Sequence, residues 1–485
     1  MIVRPAGRVE RSNMWERGTA AGQRMKTWIV VGVAAALIIG FAAGRISMTV
    51  QFPVLKEKVF ANFNAAYKEI RAEYLYDTEP DKLLNGATKG MLASLDDPYS
   101  VYLPGDEGQD FVQSYQPEFV GIGVQVRQEE GRFLIDTVIK DTPAEKGGVL
   151  AGDEIVKVDG TAVQGTTMDK LVALLRGEKG TKVKVTLARG GGPEMTMELT
   201  RAPIPVTTVS HKMLQDGIGQ ITISRFAEST AKEFEKSLKE LQGKGMKKLV
   251  IDLRSNPGGL LIPTIDIASF LIPKGKLILE VDYKDEKKVQ KYYSKQKEKF
   301  ELPIAVLVNG QTASAGEVLA AALKESGGAT VLGTTTFGKG IVQSFGQFND
   351  KSVLKLTEAE WKTPSGKSIH KKGVEPDQKV DLPAYASLPM LPSGEELKQG
   401  DYGDFVKTLQ SMLAALGYEA APVPGVFGEQ TEEAVRLFQK RSGLEENGVV
   451  GDRTSYALME QLRDLLQKDD PQLKAAIAKL GEAGK

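Results

Sequence analysis

Between about Gly217 and Asp381, short apolar runs alternate with helical ones, and that alternation constrains the fold more than any other feature of the chain. Strands are predicted at Ile218–Ile223, Lys248–Leu253, Ile304–Val308 and Ser352–Leu356, and helices near Ala231–Gln242, Leu261–Leu271 and Ala315–Lys324. Strands spaced by helices in this way bury a sheet beneath helical layers, so the stretch predicts a layered α/β core. The lysine-rich stretch Tyr283–Lys299 inside it reads as a solvated insertion.

The rest of the 485-residue chain has room for several further domains. From Val50 to Pro117, Val54, Val59, Phe60, Phe63, Ala66, Ile70 and Tyr74 recur at helical spacing, and Asp97-Pro98-Tyr99 ends the run with turn chemistry. This region reads as helical, an element for packing or oligomerisation. Residues 118–203 read as alternating strands with one helix, Thr167–Arg176, ahead of the strand Lys182–Ala188. Glycines at 121 and 123 flank Ile122 at the head of the strand through Val124, where free N–H groups can form a nest for a terminal carboxylate. Residues 383–395, with Pro383, Pro389 and Pro392, read as a linker. Beyond them, residues 396–465 form a small helical module, and 466–485 a charged tail that is helical or frayed.

Residues 27–44 carry no charge, and 1–26 are basic through Arg4, Arg8, Arg11, Arg17, Arg24 and Lys26. An apolar span behind a basic flank predicts a cytoplasmic N-terminus, a transmembrane segment and an exported remainder. The alternative is a signal peptide cleaved near Ala42-Ala43-Gly44, which would leave a secreted chain.

Composition removes whole classes of chemistry. Cysteine is absent and only His211 and His370 are present, so no thiol nucleophile and no multi-histidine metal site is expected. Lys plus Arg equal Asp plus Glu, so no global basic field points to nucleic acid. Neither a metal nor a cofactor is expected.

What remains is serine chemistry. Asn309-Gly-Gln-Thr-Ala-Ser-Ala-Gly-Glu317 follows a buried strand and precedes a helix, so Ser314 stands on a turn over a helix N-terminus, where developing negative charge is favoured. Alone, such a serine is more often a cap. Lys339, in Phe337-Gly-Lys-Gly-Ile-Val-Gln343, sits between glycines in an apolar setting where desolvation can hold a lysine neutral enough to act as a base. A Ser–Lys pair is an established substitute for a Ser–His–Asp triad. His211 lies in a polar linker and His370 beside two lysines, and neither has an evident carboxylate partner. Asp252-Leu-Arg-Ser-Asn-Pro-Gly-Gly259 ends a strand in a glycine turn whose N–H groups can face a reacting carbonyl oxygen.

Together these segments resemble the carboxyl-terminal processing (tail-specific) serine protease family, over roughly Val54 to Leu382. The resemblance implies a PDZ domain beside an α/β protease core at 204–382, with Ser314 as nucleophile, Lys339 as base and Gln343 as the residue that orients it. It implies an oxyanion hole from Gly258 or Gly259 with Ala315, and a PDZ peptide site at Gly121, Ile122, Gly123 and Val124. Thr363-Pro-Ser-Gly-Lys and Gly373-Val-Glu-Pro-Asp377 match the strand and turn that close the core. Arg176, at the end of the helix flanking the groove, is a candidate to relay PDZ occupancy to the core. The C-terminal module resembles a peptidoglycan-binding module through Leu397-x-x-Gly-Asp, Leu409-Gln410, Leu416-Gly-Tyr418, Gly428-x-x-Thr431 and Phe438-Gln439. The expected fold class is therefore multidomain α/β, and the expected activity is endoproteolysis of proteins presented by their C-termini. Peptidoglycan, the membrane and a second copy of the chain are the expected partners. A silent PDZ and wall-binding scaffold is the alternative, against which the intact Ser–Lys–Gln set argues.

Overall fold

The computed structural model describes residues 58–116, 118–420 and 423–482. The apolar segment at 27–44 lies outside them, and among the described residues no helix is long and apolar enough to cross a membrane. The chain divides into two compact units, one ending at Leu95 and the other beginning at Asp96. The first contains helices α1 (Lys58–Glu73) and α2 (Pro80–Ala93), the second opened by a proline in its first turn, where no N–H is needed. Phe63, Ile70, Leu84 and Met91 are exposed on these helices.

The second unit begins with a short strand, β1 (Val101–Leu103), and helix α3 (Gly105–Gln113), whose first turn carries Asp106 and Glu107 against the helix dipole. The PDZ domain follows: β2 (Glu118–Gly121), β3 (Val124–Glu129), β4 (Arg132–Val138), α4 (Pro143–Lys146), β5 (Glu154–Val158), β6 (Thr161–Ala162), α5 (Met168–Leu175), β7 (Lys182–Ala188), β8 (Glu194–Thr200) and β9 (Ala202–Pro205). Its sheet runs β3-β4-β5-β7-β8, antiparallel, with β3 at one edge. Phe133, Ile135, Ile155, Leu171, Val183 and Leu187 form the core beneath α5. Entering strand β2 pairs with leaving strand β9, so the domain closes at its own base.

The α/β core comprises β10 (Val209–Met213), β11 (Ile218–Ile223), α6 (Thr230–Gly243), β12 (Lys248–Asp252), α7 (Leu261–Leu271), β13 (Leu277–Tyr283), β14 (Val289–Tyr293), β15 (Ile304–Val308), α8 (Ala315–Glu325), β16 (Thr330–Gly333), β17 (Ile341–Gln347), β18 (Val353–Lys362) and β19 (Gln378–Lys379). The central sheet runs β10-β11-β12-β15-β16-β19 and is parallel from β11 to β19. Its strands alternate between two apolar faces. Leu249, Ile251, Val306 and Val308 pack under α6, α7 and α8, while Val250, Ala305 and Leu307 face the other way. A second sheet, β1-β18-β13-β14 with β17 on β18, stands beside it. The lysine-rich stretch is solvated, and it also forms β14, an exposed edge strand of this sheet. Charge on such an edge deters pairing with other chains.

The C-terminal module contains α9 (Asp404–Ala415), α10 (Glu429–Arg441) and α11 (Asp452–Lys468) around Val406, Leu409, Leu413, Phe427, Val435, Phe438 and Leu458. Two buried glutamines repeat one device. Gln410 Oε1 accepts Gly425 N–H at 2.7 Å and its Nε2 donates to Thr431 at 3.0 Å. Gln439 does the same with Gly448 at 2.9 Å and Thr454 at 3.2 Å. The module also grips the PDZ β3–β4 hairpin. Arg453 donates to the buried Glu129 carboxylate at 2.6 Å, Tyr456 donates to the Gln128 carbonyl at 2.8 Å, and Asp452 accepts Glu130 N–H at 2.6 Å.

The tail contains a full helix, α12 (Pro471–Glu482), and it belongs to the α/β core. Ala476 and Leu480 are buried against Ile218, Val250, Ala305, Leu307 and Leu332, covering the face of the central sheet that α6–α8 leave open. At its start Asp470 meets Arg254 at 2.8 Å, and Gln472 accepts from the same guanidinium at 3.2 Å.

Candidate active site

The serine turn is built by long-range hydrogen bonds. β15 ends at Val308 and α8 begins at Ala315; between them Thr312 Oγ1 donates to the Leu253 carbonyl at 2.7 Å and Ala313 N–H to the Asn256 carbonyl at 2.9 Å. Ser314 takes φ 53° and ψ −117°, a conformation that costs a non-glycine residue energy and is held by what surrounds it. The result is a half-buried hydroxyl over the first turn of α8.

The glycine turn after β12 packs directly against it. Gly258 and Gly259 have φ +101° and +141°. A Cβ on Gly258 would lie 2.8 Å from Ser314 Cβ, and one on Gly259 would lie 2.1 Å from the Phe226 carbonyl oxygen. Only glycine permits that approach. Asn256 is fully buried and pins the turn: its Nδ2 donates to the Ile223 carbonyl and its Oδ1 accepts Gly258 N–H, both at 2.8 Å. Gly258 is therefore spoken for. The N–H groups of Gly259 and Ala315 make no hydrogen bond within the described part of the chain. Arg254, next in line, is held bidentately by Asp252 at 2.9 and 2.6 Å as well as by Asp470.

Lys339 lines the same cavity of about 160 Å³ as Ser314, Gln343, Leu261, Val318, Ile341 and Trp361. Burial, helped by the charge of Lys355 and opposed by Asp97 and Glu317, brings the Lys339 ammonium down from 10.5 to about 8. Its Nζ lies 4.9 Å from the Tyr99 ring centroid. No hydrogen bond joins Ser314 Oγ, Lys339 Nζ and the Gln343 side chain, and Gln343 Nε2 is buried without a partner. Catalytic hydrogen bonds are commonly long before substrate arrives. The turn Asp97-Pro98-Tyr99 thus reaches the site. Burial pushes the Asp97 carboxyl up, but hydrogen bonds from Ser100 and from Tyr99 N–H, at 2.6 and 3.0 Å, hold it below its usual range.

One residue escaped the sequence reading as a site member. Glu317 is fully buried, and its carboxylate joins the serine and lysine segments. Oε2 accepts Ser314 N–H and Lys339 N–H, each at 2.8 Å; Oε1 accepts Thr336 Oγ1 at 2.5 Å and Gly338 N–H at 2.7 Å. The Ser-x-x-Glu spacing is the visible signal, since a glutamate three residues into a helix reaches back to the cap N–H. Glu317→Gln puts an amide NH₂ where only acceptors fit. It is expected to lower stability by about 1–3 kcal/mol and kcat/KM by tenfold or more, read by thermal unfolding and peptide cleavage.

The other expected site residues are placed as follows. His211 faces Ser237 and Glu240 at 3.0 and 3.2 Å on β10 and α6. His370 packs its backbone against Gly340, with its Nδ1 buried and unpartnered. In the PDZ domain Ile122 is buried in the core, and the N–H groups of Ile122 and Gly123 make no hydrogen bond within the described residues, at the head of edge strand β3. Val124 pairs with Val138, while Thr142 packs against Gly123. Arg176 caps α5, lies 5.2 Å from the Phe119 ring centroid and 3.9 Å from Asp110 of α3. The next residue of α3, Phe111, lines the Ser314 cavity.

A serine on a strand-to-helix turn beside a half-buried lysine, in an α/β core with a PDZ domain, defines a serine-type peptidase, and comparison with known proteins agrees. Residues 217–380 match Peptidase family S41, 134–189 a PDZ domain, 402–458 a putative peptidoglycan binding domain, and 46–107 the activating protease CtpB N-terminal domain. The chain is 41% identical to the carboxy-terminal processing protease CtpA of Bacillus subtilis (strain 168), covering 93% of this chain and 97% of that one. Carboxy-terminal processing protease CtpB of the same organism is 36% identical, over 89% of this chain and 91% of its own. Among solved structures, the photosystem II D1 C-terminal processing protease matches at 30% identity and TM-score 0.40, covering 67% of this chain and 86% of that one. The chain belongs to the carboxy-terminal processing serine proteases of peptidase family S41. Its PDZ domain implies binding of peptide C-termini, and its peptidoglycan-binding domain implies wall contact and points to an extracytoplasmic location.

Proposed function

We propose that the chain is an exported endopeptidase in which Ser314 is the nucleophile, Lys339 the general base and Gln343 the residue that orients Lys339. The carrying observation is Ser314 held at positive φ over α8, in one cavity with a lysine whose proton is loosened to about 8. An unstructured substrate tail adds to the β3 edge with its carboxylate at the Ile122 and Gly123 N–H groups. Its chain reaches the cavity, and neutral Lys339 takes the Ser314 proton as Oγ attacks the scissile carbonyl. The N–H groups of Gly259 and Ala315 receive the oxyanion, because Gly258 N–H is already engaged by Asn256. Lys339 then returns the proton to the leaving amine, and water releases the acyl-enzyme. No metal or cofactor enters these steps. Residues 27–44 tether the enzyme to the membrane or are removed after export, and the apolar side chains exposed on α1 and α2 support a homodimer.

Arg176 is the candidate link between PDZ occupancy and the core, because its partner Asp110 adjoins Phe111 in the cavity wall. Incubating the full chain with an unfolded protein, beside Ser314→Ala, tests the activity: internal cleavage by the parent alone is expected. A non-cleavable peptide with a free C-terminus is expected to accelerate cleavage of a separate reporter, less so in Arg176→Ala. Pure competition by that peptide would remove the relay, and equal cleavage by Ser314→Ala would remove the nucleophile.

A further inference from the structure

The cavity beside Ser314 holds a second lysine that these steps do not use. Lys355 lies on β18 opposite Phe345 of β17 and Val101 of β1, and its half-buried side chain lines the same cavity as Ser314 and Lys339. Its ammonium stands 5.7 Å from the Phe111 ring centroid, and among the described residues it forms no ion pair and no side-chain hydrogen bond. Asp97 is the carboxylate whose charge reaches it, yet that group is already engaged by Ser100 Oγ and Tyr99 N–H. Burial lowers the Lys355 ammonium below its usual value. Two other partly buried lysines are paired, Lys324 with Asp377 at 2.9 Å and Lys362 with Asp282 at 2.5 Å.

An ammonium half-buried in an apolar cleft with no carboxylate in direct contact is a standing cost, and an arriving carboxylate lowers it through a charge-assisted hydrogen bond. The walls around it, Phe111, Tyr115 and Phe345, stack on one another at centroid distances of 5.3 to 6.3 Å and supply no competing anion. We propose that Lys355 is a carboxylate subsite of the cleft, receiving an anionic group of the substrate, either its terminal carboxylate or an acidic side chain, close to the bond cut at Ser314. The proposal rests on the catalytic reading of Ser314 given above. It places a second point of carboxylate recognition in the protease core, separate from the PDZ groove.

The test uses short quenched peptides in matched pairs: free acid against amide terminus, and Glu against Gln at single positions flanking the cut. The full-length parent is expected to cleave the charged member of one pair with a kcat/KM about tenfold higher, chiefly through KM, as for one partly desolvated charge pair. The responding pair identifies the source of the carboxylate. Lys355→Met should bring that ratio to about one, while Lys355→Arg keeps most of it. Affinity of the same pair for the Ser314→Ala protein should show the same ratio without turnover. A parent indifferent to charge in both pairs, or a preference that survives Lys355→Met, overturns the proposal. So does a Lys355→Met protein that shifts the pH dependence of both members alike with the ratio intact, because Lys355 would then act on Lys339 alone. Cleavage by Ser314→Ala would instead refute the nucleophile and leave the affinity ratio as the judge of the subsite.

Discussion

Replacing Ser314 by alanine, or Lys339 by methionine or arginine, is expected to reduce cleavage of an unfolded protein on the order of ten-thousand-fold, because in the proposed roles of nucleophile and base the two fail as a unit. Arginine fails although it conserves charge, since a guanidinium stays protonated and cannot accept the serine proton. The same Lys339→Met change is expected to stabilise the fold. In the parent, the folded state holds Lys339 with its proton loosened to about 8 against 10.5 in the ordinary state, so below pH 8 folding carries the cost of a half-buried ammonium. That cost is undiminished at every pH below 8, falls as pH rises past 8, and is gone near 10.5. Lys339→Met should therefore unfold at higher temperature than the parent at pH 7, by about 1–3 kcal/mol in stability, with the difference shrinking in alkaline buffer. A variant that is inactive and also less stable at pH 7 would mean that Lys339 is a structural cation.

Deleting the chain from Asp470 onward is expected to remove soluble, folded protease altogether. The deletion uncovers Ile218, Val250, Ala305, Leu307 and Leu332, one whole face of the central sheet, and takes Asp470 from the largely buried Arg254. Loss of the buried Leu480 forfeits about 1.5–3 kcal/mol and the partly buried Leu473 and Ile477 add to it, a large share of the full stability of a typical domain. Milder changes separate packing from charge. Leu480→Ala should cost about 2–4 kcal/mol and leave kcat/KM of the folded fraction near the parent's. Asp470→Asn should lower kcat/KM more than stability, because Arg254 adjoins the Ser255-Asn256 segment that holds the glycine turn packed against Ser314. Thermal unfolding and peptide cleavage on the same samples give both readings. A soluble, fully active protein truncated at Asp469 would show that α12 is dispensable.

The parallel core was legible because strands covered on both faces carry unbroken apolar runs. Ile218–Ile223 and Ile304–Val308 have the bounds the sequence predicts, and Leu261–Leu271 does so among the helices. β18 runs six residues past the strand expected to end at Leu356, because Thr357 to Lys362 alternates Glu358 and Glu360 with Ala359 and Trp361. That period-two pattern marks a strand with one wet face, which apolar density overlooks. The tail carried an apolar stripe at Leu473, Ala476, Ile477 and Leu480, but a stripe does not name what covers it. Its cover lies on β11, β12, β15 and β16, far back along the chain. The site divides in the same way. Ser314, Lys339 and the glycine turn announce themselves through local spelling, whereas the choice between Gly258 and Gly259 depends on where the Asn256 amide points. Three of the four donors on Glu317, from Thr336, Gly338 and Lys339, come from a segment that meets it only in the folded core.

The central claim, a serine deprotonated by a neutral lysine, is tested most directly by kcat/KM for one short peptide across the neutral to alkaline range. A base that must lose its proton in the free enzyme gives a rate that climbs tenfold per pH unit and levels off at its own pKa. That climb is expected up to about pH 8, set by the burial of Lys339, with a plateau above it. A profile already level at pH 7, with its rise in the ordinary histidine range near 6.5, would contradict it and transfer the role of base to an imidazole.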